Sequence, residues 1–200
     1  MDERAQSSGD RWWLTQYMFS FQIDDDLKLS LPEPQMADGL TSVVLANLTR
    51  LKPWMPWAVD DYSVEHCRQW IQKTVTEFSA DGRFNAVIQH RGKYAGAIGF
   101  HNLDTRNRSA EIGYWIAGEF EGRGIITRCC CALIDHLFGT MQLNRVQINC
   151  NVENARSRAI PERLGFKLEG IHREAEFLHD RFGDWAIYAM LRSEWLEIND

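Results

Sequence analysis

The chain has 200 residues and a mass of 23.2 kDa, which suits one globular domain or a domain with a short appendage. Hydrophobic residues make up 44% and charged residues 25%, which excludes wholesale disorder, and no apolar run approaches the roughly 20 residues of a membrane span. With 22 Lys+Arg against 28 Asp+Glu, the net charge is −6, which argues against a general nucleic-acid binder but allows a local site for a small anion.

Five cysteines are present, and three of them are consecutive, Cys129, Cys130 and Cys131. The chain has neither a CxxC pair nor a Cys/His spacing typical of metal sites, and neighbouring helical residues point about 100° apart, so the triplet cannot close around one metal. We therefore expect small core side chains, no metal and reduced thiols, which indicate a cytoplasmic protein. The polar amino terminus is not typical of a signal peptide.

The first half of the chain predicts an extension, a strand and two helices. Residues 1–17 are polar and predict a loosely ordered extension, so we expect the domain to span residues 18–200. Strict alternation over residues 27–31 predicts a strand. Helical apolar spacing follows over residues 34–51, and the capping signal at Ser63 predicts a second helix.

The second half alternates between strand and helix signals. The turn Arg91-Gly92-Lys93 predicts a hairpin, and Gly165 is typical of the residue that follows a helix. The predicted strands cover residues 84–90, 94–100, 109–117, 144–152, 166–177 and 185–191, and the predicted helices cover residues 125–138 and 154–164.

The resulting element order is β-α-α-β-β-β-α-β-α-β-β. Hairpin-connected strands pair antiparallel, whereas the strand–helix–strand crossover over residues 109–152 requires a parallel neighbour. The predicted fold class is therefore α/β (α+β), with one mixed, twisted sheet of about seven strands and helices on both faces.

A glycine-bearing turn joins the strand that contains Glu111 to the next helix. Unpaired N–H groups at the start of a helix attract anions, Gly122 and Gly124 allow a ligand close to the backbone, and Arg123 adds positive charge. The Walker ending GK[ST] and the dinucleotide fingerprint GxGxxG are both absent. Many such turns carry glycine for conformational reasons alone. The turn by itself is therefore equally compatible with an anion-binding site and with a plain turn.

Five short motifs occur in order between about Met18 and Trp195. They are Ala110-Glu-Ile-Gly-Tyr-Trp115, Gly124-Ile-Ile-Thr127, Asn154-Ala-Arg-Ser157, Leu164-Gly-Phe-Lys-Leu-Glu-Gly170 and Arg173-Glu-Ala-Glu-Phe-Leu178. Their combination resembles the GNAT superfamily of N-acetyltransferases and, within it, the RimJ/RimL group of ribosomal-protein-serine acetyltransferases. The resemblance implies the GNAT fold, acetyl-CoA as cosubstrate and transfer of its acetyl group by direct attack of a primary amine.

The resemblance also implies where coenzyme A would lie. Its pantetheine arm would pair with Tyr114, Trp115 and Ile116 and accept a hydrogen bond from Asn154. Its pyrophosphate would rest on Glu121, Gly122, Arg123, Gly124, Ile125, Ile126 and Thr127. Two of these positions depart from the family pattern, which has Gln or Arg in place of Glu121 and Gly or Ala in place of Ile126. A carboxylate there should repel pyrophosphate unless it points to solvent, and we expect Ile126 to pack into the core.

Direct acetyl transfer needs an acid for the leaving thiolate and a base for the amine proton, but no protein nucleophile. The resemblance places Ser157 near the sulfur as the candidate acid, and Pro161 removes the N–H that would bond the Ser157 carbonyl. Asn154 is expected to cap the helix. Glu111 leaves the sheet on the face opposite Ile112, either as a base acting through water or as a salt-bridged surface carboxylate. The weaker candidates for the base are His101, Glu174 and Glu176.

The acceptor is the least determined part of the function. Trp54 and Trp57 either wall an acceptor cleft or anchor a loop. The family name suggests the amino-terminal amine of a ribosomal protein, while a small amine (an aminoacyl nucleotide, a polyamine or an antibiotic) stays open, as does a non-catalytic CoA-binding regulatory domain. A distant carboxylate base suits an α-amine better than a lysine, because the α-amine loses its proton more easily. Relatives of this group often dimerise, so a homodimer is also expected.

Overall fold

The computed structural model describes residues 20–81 and 83–199. The extension predicted over residues 1–17 and the proposed start of the domain at Met18 lie outside these residues. Within them, every helix is too short or too polar to cross a bilayer.

Eight strands form one sheet in the spatial order β1-β2-β3-β4-β5-β6-β8-β7. All neighbouring pairs among the described residues are antiparallel except β5 with β6, which is parallel, as the crossover predicted. The strands are β1 (Ser20–Asp24), β2 (Leu27–Ser30), β3 (Phe84–His90), β4 (Lys93–Asp104), β5 (Ser109–Ile116), β6 (Arg145–Asn151), β7 (Lys167–Leu178) and β8 (Arg181–Leu191).

The sheet has one strand more than the sequence predicted. The additional strand, β1, pairs with β2 as a hairpin, with Phe21 opposite Leu29. Phe21 is exposed, so β1 is held at the edge of the sheet by backbone pairing more than by burial of its side chains. The strand has five residues, of which only Phe21 and Ile23 are apolar, so its alternating signal in the sequence is short.

Six α-helices accompany the sheet within the described residues. They are α1 (Ala37–Ala46), α2 (Leu48–Leu51), α3 (Val64–Asp81), α4 (Ile125–Asp135), α5 (Ala155–Arg163) and α6 (Arg192–Asn199). The helix predicted over residues 125–138 is α-helical only to Asp135 and continues as a π-turn over His136–Thr140. Helix α6 was not predicted, and its buried Trp195 donates a hydrogen bond to Asp135 Oδ1 at 2.7 Å.

The single helix predicted over residues 34–51 is broken at Asn47. This residue leaves helical geometry (φ −117°, ψ 8°) between α1 and α2. Its side chain accepts a hydrogen bond from the Gly118 N–H at 2.7 Å and donates one to the Val43 carbonyl at 2.9 Å. The break therefore ties the first helices to the turn that follows β5.

Two apolar layers cover the two faces of the sheet. Ala86 and Ile88 of β3 pack into the larger cluster, which contains α4, while Val87 between them packs with Leu40 and Ile71 of α1 and α3. Because neighbouring strand residues point to opposite faces, these helices lie on opposite sides, as predicted. Of the cysteine triplet, Cys129 and Cys130 are fully buried in the larger cluster and Cys131 is half-buried, which confirms their packing role.

The parallel strands β5 and β6 pair over only three residues each. Ser109–Glu111 is aligned with Arg145–Gln147, and beyond these residues both strands continue without pairing to one another. The sheet therefore opens into a gap at the carboxyl ends of its two central strands. The gap leaves backbone groups of β5 available to an extended ligand.

Candidate active site

Two cavities meet at the gap between β5 and β6. We call the first, of about 800 Å³, the loop cavity because the turn Glu121–Thr127 lines it. The second, of about 730 Å³, is the cleft, lined by Trp57, Glu111 and Asn149 among others. The wall that both cavities share consists of Trp54, Met55, Tyr114, Trp115, Asn154 and Ser157. Apart from Glu174, a weaker candidate for the base, every site residue predicted from the sequence lines at least one of the two cavities.

The glycines of the turn are required by backbone geometry. Gly122 and Gly124 have φ of +71° and +68°, and a Cβ at either position would meet no atom within 4 Å. Left-handed backbone, not close contact with the protein, therefore selects glycine here. Gly124 precedes α4, which no side chain caps, so the first amide groups of this helix keep their hydrogen-bonding capacity for a ligand.

Guanidinium groups surround the loop cavity. They belong to Arg50, Arg123, Arg128, Arg156 and Arg163. Glu121, whose carboxylate was expected either to repel a pyrophosphate or to point to solvent, forms ion pairs with Arg50 and, at 3.6 Å, with Arg156. Its negative charge is therefore offset, and the cavity remains cationic. Ile126 is 6% exposed and packs into the main core, as expected.

Asn154 caps α5, as predicted. Its Oδ1 accepts a hydrogen bond from the Ser157 N–H at 3.1 Å. Four residues after Ser157, Pro161 leaves the Ser157 carbonyl without its helical donor, and the Tyr114 hydroxyl donates to that carbonyl at 3.0 Å. Burial raises the pKa of Tyr114 well above its usual range, so the hydroxyl remains a donor.

The Ser157 hydroxyl also has a defined partner. It donates to Cys150 Sγ at 3.3 Å. Burial raises the pKa of this thiol to about 11, so Cys150 is a neutral neighbour of the serine. The sequence did not predict a contact between Ser157 and Cys150. The available signal was that Cys150 lies on the apolar face of β6, together with Val146 and Ile148.

Glu111 lies in the cleft with its carboxylate held at both oxygens. His101 Nε2 is 3.3 Å from Oε1, and Asn102 Nδ2 donates to Oε2 at 3.1 Å. The side chain is 14% exposed, so the carboxylate is oriented and still reached from the cleft. Glu111 is therefore a paired carboxylate, as one interpretation of the sequence had it, and it is also open to a ligand in the cleft, as the other requires.

The two tryptophans predicted for the acceptor side both line the cleft. Trp57 contacts Trp115 and Tyr62, with ring centroids 5.7 and 6.0 Å apart. Trp54 lies in the wall that the cleft shares with the loop cavity. The cleft is thus aromatic near the gap.

A second carboxylate in the cleft comes from a bulge in β7. Between His172 and Glu176 the register with β8 shifts, and the Glu174 N–H (φ 52°) donates to Asp184 Oδ1 at 2.8 Å. Beyond the bulge, Glu176 faces the cleft and accepts a hydrogen bond from Asn151 Nδ2 at 3.0 Å. Glu176 was a weaker candidate for the base from the sequence, in which simple alternation does not indicate such a bulge.

The site is divided between the two faces of the sheet. Tyr114 and Cys150 point to the face that carries α5, where both contact Ser157. Glu111 and Trp115, at odd positions of β5, point to the opposite face. A hydroxyl on one side of the gap therefore faces a carboxylate on the other, with an open strand edge between them. This geometry suits a donor and an acceptor that meet inside the gap.

The splayed parallel pair and the glycine-bearing turn that precedes α4 fit an acyl-transfer enzyme of the acetyltransferase class. The chain belongs to the GNAT family, since the acetyltransferase (GNAT) domain matches residues 26–167. It is an N-acetyltransferase similar to RimJ and RimL proteins, as the motifs predicted.

Two relatives and one solved structure document this similarity. The "Putative ribosomal N-acetyltransferase YdaF" of Bacillus subtilis (strain 168) is 39% identical over 179 residues, covering 89% of this chain and 98% of that protein. The ribosomal-protein-serine acetyltransferase of Escherichia coli (strain K12) is 30% identical, covering 86% and 96%. RimL, a ribosomal L7/L12 alpha-N-protein acetyltransferase solved in complex with coenzyme A, is 27% identical with a TM-score of 0.82, covering 88% and 99%.

Proposed function

We propose that this enzyme uses acetyl-CoA to acetylate the α-amino group of a protein amino terminus, with a ribosomal protein as the leading candidate. The observation that carries the proposal is the gap between β5 and β6, which joins a cationic cavity to a cleft that contains carboxylates. The names of the relatives support the acceptor class.

The loop cavity supplies the donor side of this proposal. The free amides at the start of α4 and the surrounding arginines suit a pyrophosphate, and the open edge of β5 from Tyr114 to Ile116 suits an extended arm. Asn154 uses its oxygen as the helix cap, which leaves its amide N–H groups to donate. The bound cosubstrate would supply an activated acetyl thioester.

The charges of the cleft favour a cationic acceptor without phosphate or carboxylate groups. Among its described lining residues, Glu111 and Glu176 carry negative charge, Lys73 is the single lysine and no arginine is present. An ammonium group is attracted there, whereas an aminoacyl nucleotide would bring a phosphate without a guanidinium partner. A polyamine shares the favourable charge, so it is the second candidate acceptor.

The expected acid–base roles follow from the two faces of the site. Glu111 would accept the amine proton, through water, and Ser157 would protonate the leaving thiolate. At pH 7, an α-amine with a pKa of about 8 is roughly 10% neutral, whereas a lysine with a pKa of about 10.4 is roughly 0.04% neutral. A carboxylate that acts through water therefore suits the α-amine better than a lysine.

The proposal is tested by the release of free thiol from acetyl-CoA with matched peptides. One peptide has a free amino-terminal serine and no lysine, and the other has a blocked amino terminus and one lysine. We expect faster release with the first peptide. Faster release with the second peptide, or with spermidine, would reject the α-amine specificity. Binding of coenzyme A without turnover of any amine would favour a non-catalytic CoA-binding domain.

The compartment and the assembly are part of the same proposal. All five cysteines are free, and four are buried, which accords with the reducing cytoplasm proposed from the sequence. We propose a homodimer on the family resemblance alone, to be tested by light scattering.

A further inference from the structure

One polar atom of the cleft has no partner in the protein. Asn149 Oδ1 is fully buried, and among the described side chains of residues 20–78 and 83–198 it is the one buried nitrogen or oxygen without a hydrogen bond. An unpaired buried carbonyl is unfavourable, and native proteins rarely keep one without a reason. By contrast, both polar atoms of the neighbouring Asn151 have partners. Its Nδ2 donates to Glu176, and its Oδ1 accepts from the Glu153 N–H.

The position of Asn149 relates it to the reacting groups. Glu111 is aligned with Gln147 in the parallel register of β5 and β6, and Asn149 lies two residues further along the same face. Asn149 is therefore on the far side of the gap from β5, where the two strands have separated, and it faces the same cleft as Glu111. The corresponding position on β5 is Gly113, where a Cβ would lie 3.3 Å from Cε1 of His101, the residue that holds Glu111.

We infer that Asn149 Oδ1 accepts a hydrogen bond from an N–H of the acceptor amine and so orients the amine for attack. This inference rests on the proposed function and names the residue that recognises the acceptor nitrogen. A neutral primary amine has two N–H groups and one lone pair. With one N–H directed to the water on Glu111 and the other to Asn149, the lone pair points across the gap toward the thioester.

Asn149 neither gives nor takes a proton in the proposed reaction. The nitrogen forms a bond to the acetyl carbon, the bond between that carbon and sulfur breaks, one proton leaves the nitrogen toward Glu111, and Ser157 protonates the sulfur. The proton held by Glu111 then returns through solvent to Ser157, so both groups regain their starting state. Asn149 holds the remaining N–H throughout. Its effect should therefore appear in steps that involve the amine and not in the binding of coenzyme A.

The test compares substitutions at Asn149 with one at Gln147. Asn149→Ala removes the accepting oxygen, and Asn149→Asp keeps one in its place. Gln147→Ala is the matched control, since Gln147 lies on the same strand face and lines neither cavity. Steady-state kinetics are measured with the amino-terminal serine peptide, with spermidine and with varied acetyl-CoA. They give kcat/KM for each amine and, separately, KM for acetyl-CoA.

We expect Asn149→Ala to lower kcat/KM for the amine about tenfold while KM for acetyl-CoA stays unchanged. Asn149→Asp should keep most of the activity, and Gln147→Ala should match the wild type. The Tm of Asn149→Ala should equal or exceed that of the wild type, because the substitution removes an unpaired buried oxygen. Unchanged amine kinetics in Asn149→Ala, or a lower Tm with an equal loss for both substrates, would overturn the inference.

A binding measurement separates this inference from the proposed function. If the wild type turns over amines and Asn149→Ala does so equally well, only the inference fails. If the wild type turns over no amine, the proposed function fails, and Asn149 is then tested by tryptophan fluorescence as peptide or spermidine binds the CoA-loaded protein. Weaker amine binding in Asn149→Ala than in Gln147→Ala supports the inference, whereas equal or absent binding rejects it.

Discussion

The hydroxyl of Tyr114 in β5 donates to the carbonyl of Ser157 in α5, the carbonyl that Pro161 deprives of its helical partner. A side chain from the sheet thus replaces a backbone hydrogen bond inside a helix. Both residues belong to the wall that the two cavities share, so the contact lies within that wall. It therefore fixes the candidate acid with respect to the strand that the cosubstrate is proposed to pair with.

Replacing Tyr114 with Phe should cost stability and activity. The Ser157 carbonyl then loses its donor, which should lower the free energy of unfolding by about 1–3 kcal/mol. In a Pro161→Ala background, the restored N–H can bond the same carbonyl, so Tyr114→Phe should cost about 1 kcal/mol less. Urea unfolding of the four proteins in this cycle measures the difference. Strictly additive effects would show that the two residues do not share this carbonyl.

Substitutions of the acid and the base should affect kcat more than binding. Ser157→Ala and Glu111→Gln are each expected to lower kcat on the order of a hundredfold, with little change in the Kd of coenzyme A. Glu174→Gln, which removes an exposed carboxylate outside the cleft, is the control for Glu111. A large loss with Glu176→Gln and none with Glu111→Gln would assign the base to Glu176 instead.

Neutralising Glu121 should strengthen the binding of coenzyme A. Glu121→Gln removes a negative charge near the proposed pyrophosphate and releases Arg50 and Arg156. Calorimetry should show on the order of fivefold tighter binding at low salt, with a smaller gain at high salt. Arg50→Ala should weaken binding, and Arg68→Ala, outside the loop cavity, should not change it. Weaker binding in Glu121→Gln would mean that the carboxylate is needed to position the arginines.

Acid should destabilise the protein partly through Asp26. Hydrogen bonding from Arg128, at 3.0 Å, holds the pKa of this carboxyl well below its usual range. Because the folded-state pKa is lowered, the stabilisation is present above the unfolded pKa of about 4 and is lost as pH falls through the folded value. Asp26→Asn should thus have a lower Tm at pH 7, with a difference that shrinks below about pH 4. Asp38→Asn, which alters an exposed carboxylate, is the matched control.

Local sequence signals predicted much of the fold. The alternation of β6, the cap at Asn154 and the glycines that flank Arg123 each depend on a few neighbouring residues, and each appears in the structure. The break at Asn47 was not predicted, because its cause is a hydrogen bond to Gly118, far away in the chain. Helix periodicity continues through that residue without interruption in the sequence.

The site shows the same division between local and distant causes. The sequence identified Glu111 and Ser157 but associated neither with its contacts, since His101 and Cys150 reach them only through strand register and face. Glu121 departs from the family pattern, and its carboxylate was expected to repel a pyrophosphate unless it pointed to solvent. The structure shows that arginines from two different helices pair with it.

By itself, the sequence determined the family and most of the elements in their order, because motifs, periodicity, caps and left-handed glycines are properties of short segments. Only the tertiary structure decided how β5 separates from β6, how the bulge at Glu174 turns Glu176 into the cleft, and that Asn149 Oδ1 lacks a partner. Register, bulges and hydrogen-bond pairing depend on segments that are distant in the chain, and folding alone brings them into contact.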